Sequence, residues 1–255
     1  MTGDARPAAR GAVALTFVGR SVRHSVRSLD SLLTSLMLPV SILLMFVYVF
    51  GGAIDTGGRY VDYVVPGIIV LCAGFGSAST AVAVALDMTT GVIDRFRTLP
   101  ISSAAVLTGH VAASVARNVL SSLLVLGVAL LAGFEPHASV LDWLAAAGLL
   151  LALMTAISWI AACFGLLAKS VEAANALTFV AAFAPYLSSA FVPADTMPSG
   201  LSWVAEHQPV TPIADTLREL LLGMPVGNEA IVAIAWCAAG IVIGRLGAAY
   251  LFARR

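Results

Sequence analysis

Long apolar runs separated by short polar connections dominate the pattern along this chain. A membrane-spanning helix needs about 20 mainly apolar residues. Six stretches meet that requirement, at residues 32–50, 64–86, 112–132, 143–167, 173–192 and 230–252. The runs are continuous rather than alternating, so they predict helices and not the strands of a membrane barrel. We therefore predict an all-α integral membrane protein in which residues 1–255 form one transmembrane domain.

Composition supports the membrane assignment and argues against nucleic-acid binding. Hydrophobic residues make up 60% of the 255 positions and charged residues 11%, against roughly half and roughly a quarter in soluble domains. The 14 basic and 14 acidic residues cancel, so no net field attracts nucleic acid. The cysteines, Cys72, Cys163 and Cys237, lie inside apolar runs without metal-binding spacing, as expected of small packing residues.

The charges in the connections predict the orientation of the chain. Basic side chains gather in the N-terminal segment, in the loops after the second and fourth predicted spans, and at the C-terminus. The other connections are mostly acidic. Because cytoplasmic flanks are enriched in Lys and Arg, we predict that both termini and the two basic loops are cytoplasmic. Lysine occurs once, while arginine and alanine are common, which hints at a GC-rich bacterium and hence a bacterial cytoplasmic membrane.

An amphipathic segment precedes the first predicted span. Within residues 12–29, apolar side chains recur every three or four positions and basic side chains occupy the opposite face. A basic amphipathic helix of this kind lies in the membrane interface, with its charges towards anionic headgroups. A basic tail without regular structure is the alternative interpretation.

The loop after the second predicted span contains another amphipathic segment, at residues 88–99. Its apolar ridge consists of Met88, Val92, Phe96 and Leu99. Charged residues flank this ridge, and Pro100 ends the helix. Such a helix suits docking into a groove of a soluble partner. A solvated connector with one face on the bilayer has the same pattern.

The outer segment before the last predicted span is too apolar for a free loop and is interrupted by prolines. Short interfacial or re-entrant helices fit residues 198–222, because non-helical backbone at membrane depth must be buried in protein or reach water. Trp203 suits the headgroup region. Asp215 and Arg218 are three positions apart, which predicts a local salt bridge.

Some polar and small residues inside the spans have two interpretations each. The candidates for lining a translocation path are Ser77, Ser79, Thr80, Asn175, Thr178, Ser188 and Ser189. Hydroxyls and amides in membranes also commonly bond the backbone or a neighbouring helix. Arg117 either extends to the headgroups or makes a polar contact within the bundle. Gly240, Gly244 and Ala248 allow close helix packing, either within one subunit or between two.

The sequence lacks the motifs of an ATPase, a hydrolase or a metal enzyme. The stretch closest to a phosphate-binding loop, residues 165–170, has the wrong spacing and lies at the end of a predicted span. Any ATP hydrolysis that drives this protein would therefore take place on another chain. The four histidines, His24, His110, His137 and His207, are far apart in sequence and in predicted topology. We expect no catalytic residue, no metal and no cofactor on this chain.

The order of these segments resembles the permease subunits of type-2 ABC exporters, in particular the daunorubicin-resistance branch. One motif is Gly-Val-Ile-Asp-Arg-Phe-Arg-Thr-Leu-Pro at 91–100, with Gly109 beyond it. The other is Pro-Tyr-Leu-Ser-Ser-Ala-Phe-Val-Pro at 185–193, continued by Met-Pro at 197–198 and by residues 208–218. The resemblance covers nearly the whole chain. His110 departs from the pattern, because relatives often have a basic residue after the glycine.

The resemblance implies six transmembrane helices, an N-terminal elbow helix at 12–29, a cytoplasmic coupling helix within 88–99 and outer re-entrant helices at 198–222. The residues implied to couple to the ATPase are Val92, Asp94, Arg95, Phe96, Arg97 and Leu99. The implied partners are a separate ABC ATPase subunit, which binds ATP and Mg, and a second permease copy or paralogue. The implied cargo is a hydrophobic or amphipathic drug or lipid, moved out of the cell.

Three other functions are weighed against this one. An ion-coupled secondary carrier has little support, because no predicted span contains a pair of acidic residues. A lipid-modifying membrane enzyme would need nucleophile, acid or metal-ligand groups at one membrane face, and none is visible. A regulatory membrane subunit that does not transport would have the same sequence pattern as a permease.

Overall fold

The computed structural model of this chain describes residues 29–54, 56–90 and 103–254. All regular structure in these ranges is helical. The eight α-helices are α1 (Leu29–Leu44), α2 (Tyr60–Thr89), α3 (Ser103–Leu131), α4 (Val140–Leu167), α5 (Val171–Ala182), α6 (Ser199–His207), α7 (Val210–Leu221) and α8 (Glu229–Arg254). A π-helix, Met45–Phe50, continues α1, and two short 3₁₀ helices lie between α5 and α6. The predicted all-α class is confirmed for this part of the chain.

Four of these helices are long and apolar enough to cross a membrane, judged by length and composition. They are α2, α3, α4 and α8. They coincide with the second, third, fourth and sixth predicted spans, so a multi-pass membrane protein is confirmed. The first predicted span is covered by α1 and its π-helical continuation, with an apolar section at Met37–Phe50. The total of six spans stays a prediction.

The fifth predicted span, residues 173–192, is not one continuous helix. α5 ends at Ala182 after 12 residues, which is about 18 Å and shorter than a bilayer core of roughly 30 Å. The chain continues as a 3₁₀ helix, Ala184–Leu187. Pro185 accounts for the break, because proline lacks an N–H and its ring obstructs the preceding helical turn. The apolar run was recognised correctly, but one unbroken helix over its whole length was wrong.

The helix α2 forms the centre of the bundle. It packs against α1, α3, α4, α5 and α7, and nearly all its side chains from Tyr60 to Ala73 are buried. α4 is fixed at its start by a capping box, in which the Ser139 hydroxyl accepts from the Asp142 N–H and the Asp142 carboxylate accepts from the Ser139 N–H. This exchange satisfies two backbone donors at the helix start.

Small residues bring α8 directly against α4. A Cβ atom added at Gly244 would lie 2.7 Å from Trp159 Cβ and 3.1 Å from the backbone nitrogen of Ile160. A Cβ at Gly240 would lie 3.1 Å from Ala156 Cβ. The small residues of α8 therefore serve packing within one subunit, which decides between the two interpretations left open by the sequence.

Polar contacts mark the two ends of the bundle. At one end, Arg59 pairs with Glu135 at 2.7 Å and with Asp62 at 3.6 Å, and the hydrogen bond to Glu135 is the main cause that raises the pKa of the Arg59 guanidinium. The His137 N–H donates to the Leu221 carbonyl there at 3.0 Å. By the predicted orientation we name this the outer end. The inner end holds the termini of α2 and α3 that flank residues 91–102.

Candidate functional site

A buried charge pair joins the outer helix α7 to α2. Arg218 is 9% exposed, and its Nη1 donates to the Asp215 carboxylate, as the sequence predicted. Its Nε donates to the Tyr63 carbonyl at 3.1 Å and its Nη2 to the Ser189 carbonyl at 3.2 Å. The guanidinium also lies over the Tyr63 ring, 3.8 Å from the centroid. The predicted local salt bridge is therefore part of a network that fixes α7 to the bundle.

Two predicted path residues, Ser188 and Ser189, take part in fixing the outer segment. The Ser189 hydroxyl donates to Asp215 Oδ1 at 2.9 Å, and the Ser189 N–H donates to the Thr211 hydroxyl at 3.2 Å. The Ser188 hydroxyl donates to the Pro185 carbonyl at 2.6 Å. Both serines are buried. These contacts satisfy backbone left unpaired where the fifth predicted span breaks, as membrane depth requires.

A polar seam runs through the middle of the bundle, between α2, α3 and α4. Ser77 on α2 accepts a hydrogen bond from Asn118 Nδ2 at 3.0 Å, and its hydroxyl lies 3.3 Å from that of Ser158. Ser158 in turn donates to the Ser114 hydroxyl at 2.9 Å. All four side chains are fully buried. Ser77 was a predicted path residue, while Ser114, Asn118 and Ser158 were missed. Ser114 and Asn118 are one helical turn apart in α3, a signal for a polar face that was not used, while their contact with Ser77 and Ser158 exists only across helices.

The other two predicted path residues of α2, Ser79 and Thr80, accept hydrogen bonds from Arg117 of α3. Arg117 Nη2 donates to the Ser79 hydroxyl at 2.9 Å and to the Thr80 hydroxyl at 3.4 Å. Arg117 therefore makes polar contacts within the bundle, the second of the two interpretations that the sequence allowed. Thr80 is buried and Ser79 is exposed.

An apolar cleft of about 380 Å³ opens between α2, α4, α5, α7 and α8. Gly74 and Ala78 of α2 and Trp236 and Cys237 of α8 are among the lining residues, and none of the lining residues is charged. Two predicted path residues contribute hydroxyl groups, Ser77 and Thr178. The volume lies within the range of about 300–1,000 Å³ typical of small-molecule pockets.

Both hydroxyl groups in the cleft wall already donate hydrogen bonds to backbone carbonyls. Thr178 donates to the Ala174 and Asn175 carbonyls at 2.9 and 3.0 Å, and Ser77 donates to the Ala73 carbonyl at 2.7 Å. The cleft therefore offers shape and apolar surface rather than hydrogen bonds. Asn175 itself is exposed and does not line the cleft.

Several predicted functional segments lie outside the described residues. They are the elbow residues 12–28 and the coupling residues Val92, Asp94, Arg95, Phe96, Arg97 and Leu99. Their roles stay predictions. Among the described residues, no group of three or more His, Cys, Asp or Glu side chains is placed to hold a metal ion.

Long apolar helices, an apolar cleft between helices and a polar seam define a multi-pass membrane protein with space for a small hydrophobic molecule. The sequence matches the family described as ABC-2 type transporter over residues 14–222. The chain therefore belongs to the ABC-2 type transporter family, whose members are membrane permease subunits of ABC transporters. The resemblance drawn from the sequence is confirmed at this level.

Two relatives show how far the similarity extends. The daunorubicin resistance ABC transporter permease protein DrrB1 of Streptomyces coeruleorubidus is 30% identical over 222 residues, which cover 86% of this chain and 78% of the relative. The probable doxorubicin resistance ABC transporter permease protein DrrC of Mycobacterium tuberculosis is 24% identical over 240 residues, covering 92% of this chain and 87% of the relative. Both alignments thus cover most of this chain.

Proposed function

We propose that this chain is the membrane-spanning subunit of an ATP-driven exporter that works with separate ABC ATPase subunits. The observation that carries the proposal is the family match over residues 14–222, together with drug-resistance permeases similar over most of their length. The sequence has no phosphate-binding loop of its own, so the ATP and Mg belong to the partner. A second permease copy or a paralogue completes the transport unit.

In this proposal the cargo is a hydrophobic or amphipathic compound, such as a drug or a lipid. Two observations support that class. The relatives are named for resistance to daunorubicin and doxorubicin. The cleft, lined by Gly74, Ala78 and Trp236 among others, is uncharged, and three of the helices around it, α2, α4 and α8, are long enough to span the membrane. An apolar cargo entering it leaves no charged group without a partner.

The cleft holds the apolar part of the cargo during transport, with Ser77 and Thr178 in its wall. The other predicted path residues belong to the surroundings of that space. Ser188, Ser189 and Thr80 hold neighbouring segments in place. Ser79 and Asn175 lie on the exposed surface of the chain, which suits a path completed by a second copy.

The proposal also assigns the cytoplasmic side. The elbow helix at 12–29 lies in the inner interface of a bacterial cytoplasmic membrane, and both termini are cytoplasmic. The coupling helix within 88–99 docks on the ATPase, whose nucleotide-driven closure shifts the bundle between two states of access. In this proposal α6 (Ser199–His207) and α7 (Val210–Leu221) are the outer re-entrant helices expected within residues 198–222, and they lie in the outer leaflet.

Isolation of the complex from the native host tests the proposal. The chain is tagged, solubilised gently and analysed for proteins that co-purify. We expect an approximately equimolar soluble protein with a phosphate-binding loop motif. If no ATPase co-purifies under conditions that preserve a known transporter complex in parallel, the proposed mechanism is wrong.

A further inference from the structure

The inner ends of α2 and α3 are joined by a histidine–carboxylate pair that the proposed mechanism does not yet use. His110 Nε2 lies 2.8 Å from Asp87 Oδ2, and the two side chains are 24% and 28% exposed. A carboxylate at this distance accepts, so Nε2 carries the proton and donates it in the hydrogen bond. The two residues are 23 positions apart, and between them lie the last residues of α2, the connection at residues 91–102 and the first residues of α3.

The pair lies beside a packed apolar cluster. Leu107 and Val111, on either side of His110 in α3, and Val84 of α2 are buried in it. Trp159 of α4 and Phe252 of α8 complete its core, and Met88 packs against it. The ends of four helices are therefore held together at this point. A displacement applied there reaches several spans at once, because packed side chains transmit strain.

The stability of α2 does not explain an acidic residue at position 87. Asp87 lies in the last turn of the helix, where the negative end of the helix dipole disfavours a carboxylate. Hydroxyl groups already satisfy carbonyls in this turn, since Thr89 donates to Ala85 at 3.0 Å and Thr90 donates to Leu86 at 2.8 Å. What Asp87 adds is a fixed contact with α3.

We propose that Asp87 and His110 are positioning residues for the ATP-driven step. Their pair fixes the two ends of the loop between α2 and α3 to each other. When the ATPase displaces this loop, α2 and α3 then move as one body. Because Gly74, Ser77 and Ala78 of α2 line the cleft, that movement reaches the cargo space. This inference rests on the proposed function.

The test separates coupling from folding by measuring the amount of daunorubicin, used as the probe cargo, that is transported per ATP hydrolysed. The purified complex in vesicles is compared as wild type, D87A, H110A and the exchanged pair D87H/H110D. We expect each single variant to hydrolyse ATP at nearly the wild-type rate but to transport about fivefold less cargo per ATP, the lower end of typical coupling between sites. The exchanged pair restores most of the transport per ATP, because the histidine–carboxylate contact forms again with the two side chains exchanged between α2 and α3.

Glu135→Ala is the matched control, since it removes an ion pair at the outer end and should leave the ratio unchanged. An unchanged ratio in both single variants, with an active wild type, overturns this inference alone. The same holds if the exchanged pair assembles like wild type yet couples no better than the single variants. Absence of ATP-driven transport in the wild type overturns the proposed function, and this inference with it.

Discussion

The helix α8 meets its neighbours in two opposite ways. Against α4, glycines bring the backbones so close that a Cβ at Gly244 would lie 2.7 Å from Trp159 Cβ. Towards α5 there is no helix contact among the described residues, and the cleft of about 380 Å³ lies in this region. The same helix is thus packed closely against α4 and also lines an open space beside that contact.

This difference distinguishes the part of the bundle where helices are tightly packed from the part that has space for a cargo molecule. Helix association in a membrane depends on close van der Waals contact and on interhelical hydrogen bonds. α4 and α8 have the first, and the seam of Ser77, Asn118 and Ser158 supplies the second between α2, α3 and α4. α5 is a short helix that ends at Ala182, so beyond that residue it does not close the bundle against α8.

The largest expected effect comes from removing the anchor of α7, which forms part of the cleft wall. Arg218→Leu leaves Asp215 partly buried without its cation, and breaking such a pair costs about 3–5 kcal/mol. We expect a clear fall in the melting temperature of the detergent-solubilised protein. The double variant with Asp215→Leu should recover much of the loss, because no charge is then left without a partner. Equal melting temperatures for the single variant and the wild type would contradict the network.

The second-largest effect is expected where α8 packs closely against α4. Gly244→Leu forces a side chain against the backbone of Ile160, and overpacking of this kind costs about 1–3 kcal/mol. We expect a lower melting temperature and a smaller fraction of monodisperse protein. Gly148→Leu on α4 is the matched control, because a Cβ there meets open space. If the two variants are equally stable, α4 and α8 do not pack as described.

A third substitution fills the cleft without disturbing the contact between α4 and α8. Gly74 lines the cleft, and a Cβ added there meets no atom within 4 Å. We therefore expect Gly74→Leu to fold like the wild type while transport falls by about tenfold, which corresponds to 1.4 kcal/mol. Measured stability and transport that both match the Gly148→Leu control would remove the cleft from the transport path.

The smallest effect is expected at a hydroxyl that the sequence proposed for the path. Thr178→Val keeps the shape of the side chain, and the hydroxyl it removes already donates to backbone carbonyls of α5. We expect a change in unfolding free energy below about 1.5 kcal/mol and transport close to wild type. Strongly reduced transport by a stable variant would show that the cargo bonds this hydroxyl.

The features that the sequence predicts well are local ones. Continuous apolar runs predict α2, α3, α4 and α8, since length and apolarity suffice for a spanning helix. The spacing of Asp215 and Arg218 predicts their salt bridge, and the small residues at Gly240 and Gly244 predict close packing. Each of these sequence signals lies within one helix.

The features that the sequence does not predict depend on several helices at once. The apolar residues of 173–192 predicted one spanning helix. In the structure that helix is interrupted, because Pro185 cannot continue it. Asn118 and Ser158 belong to different apolar runs, and only the packing of α2, α3 and α4 brings them to Ser77. The cleft is likewise a gap between elements that are distant along the chain, so no local pattern signals it.

ATP-driven export through the cleft is tested most directly by measuring transport by the purified complex in vesicles, with daunorubicin and doxorubicin as probes. Wild type, Gly74→Leu and Gly148→Leu are compared with ATP, and again without ATP under an imposed proton or sodium gradient. We expect ATP-dependent transport by the wild type and by Gly148→Leu, and strongly reduced transport by Gly74→Leu. Transport driven by the ion gradient without ATP would contradict the proposed function and favour an ion-coupled carrier.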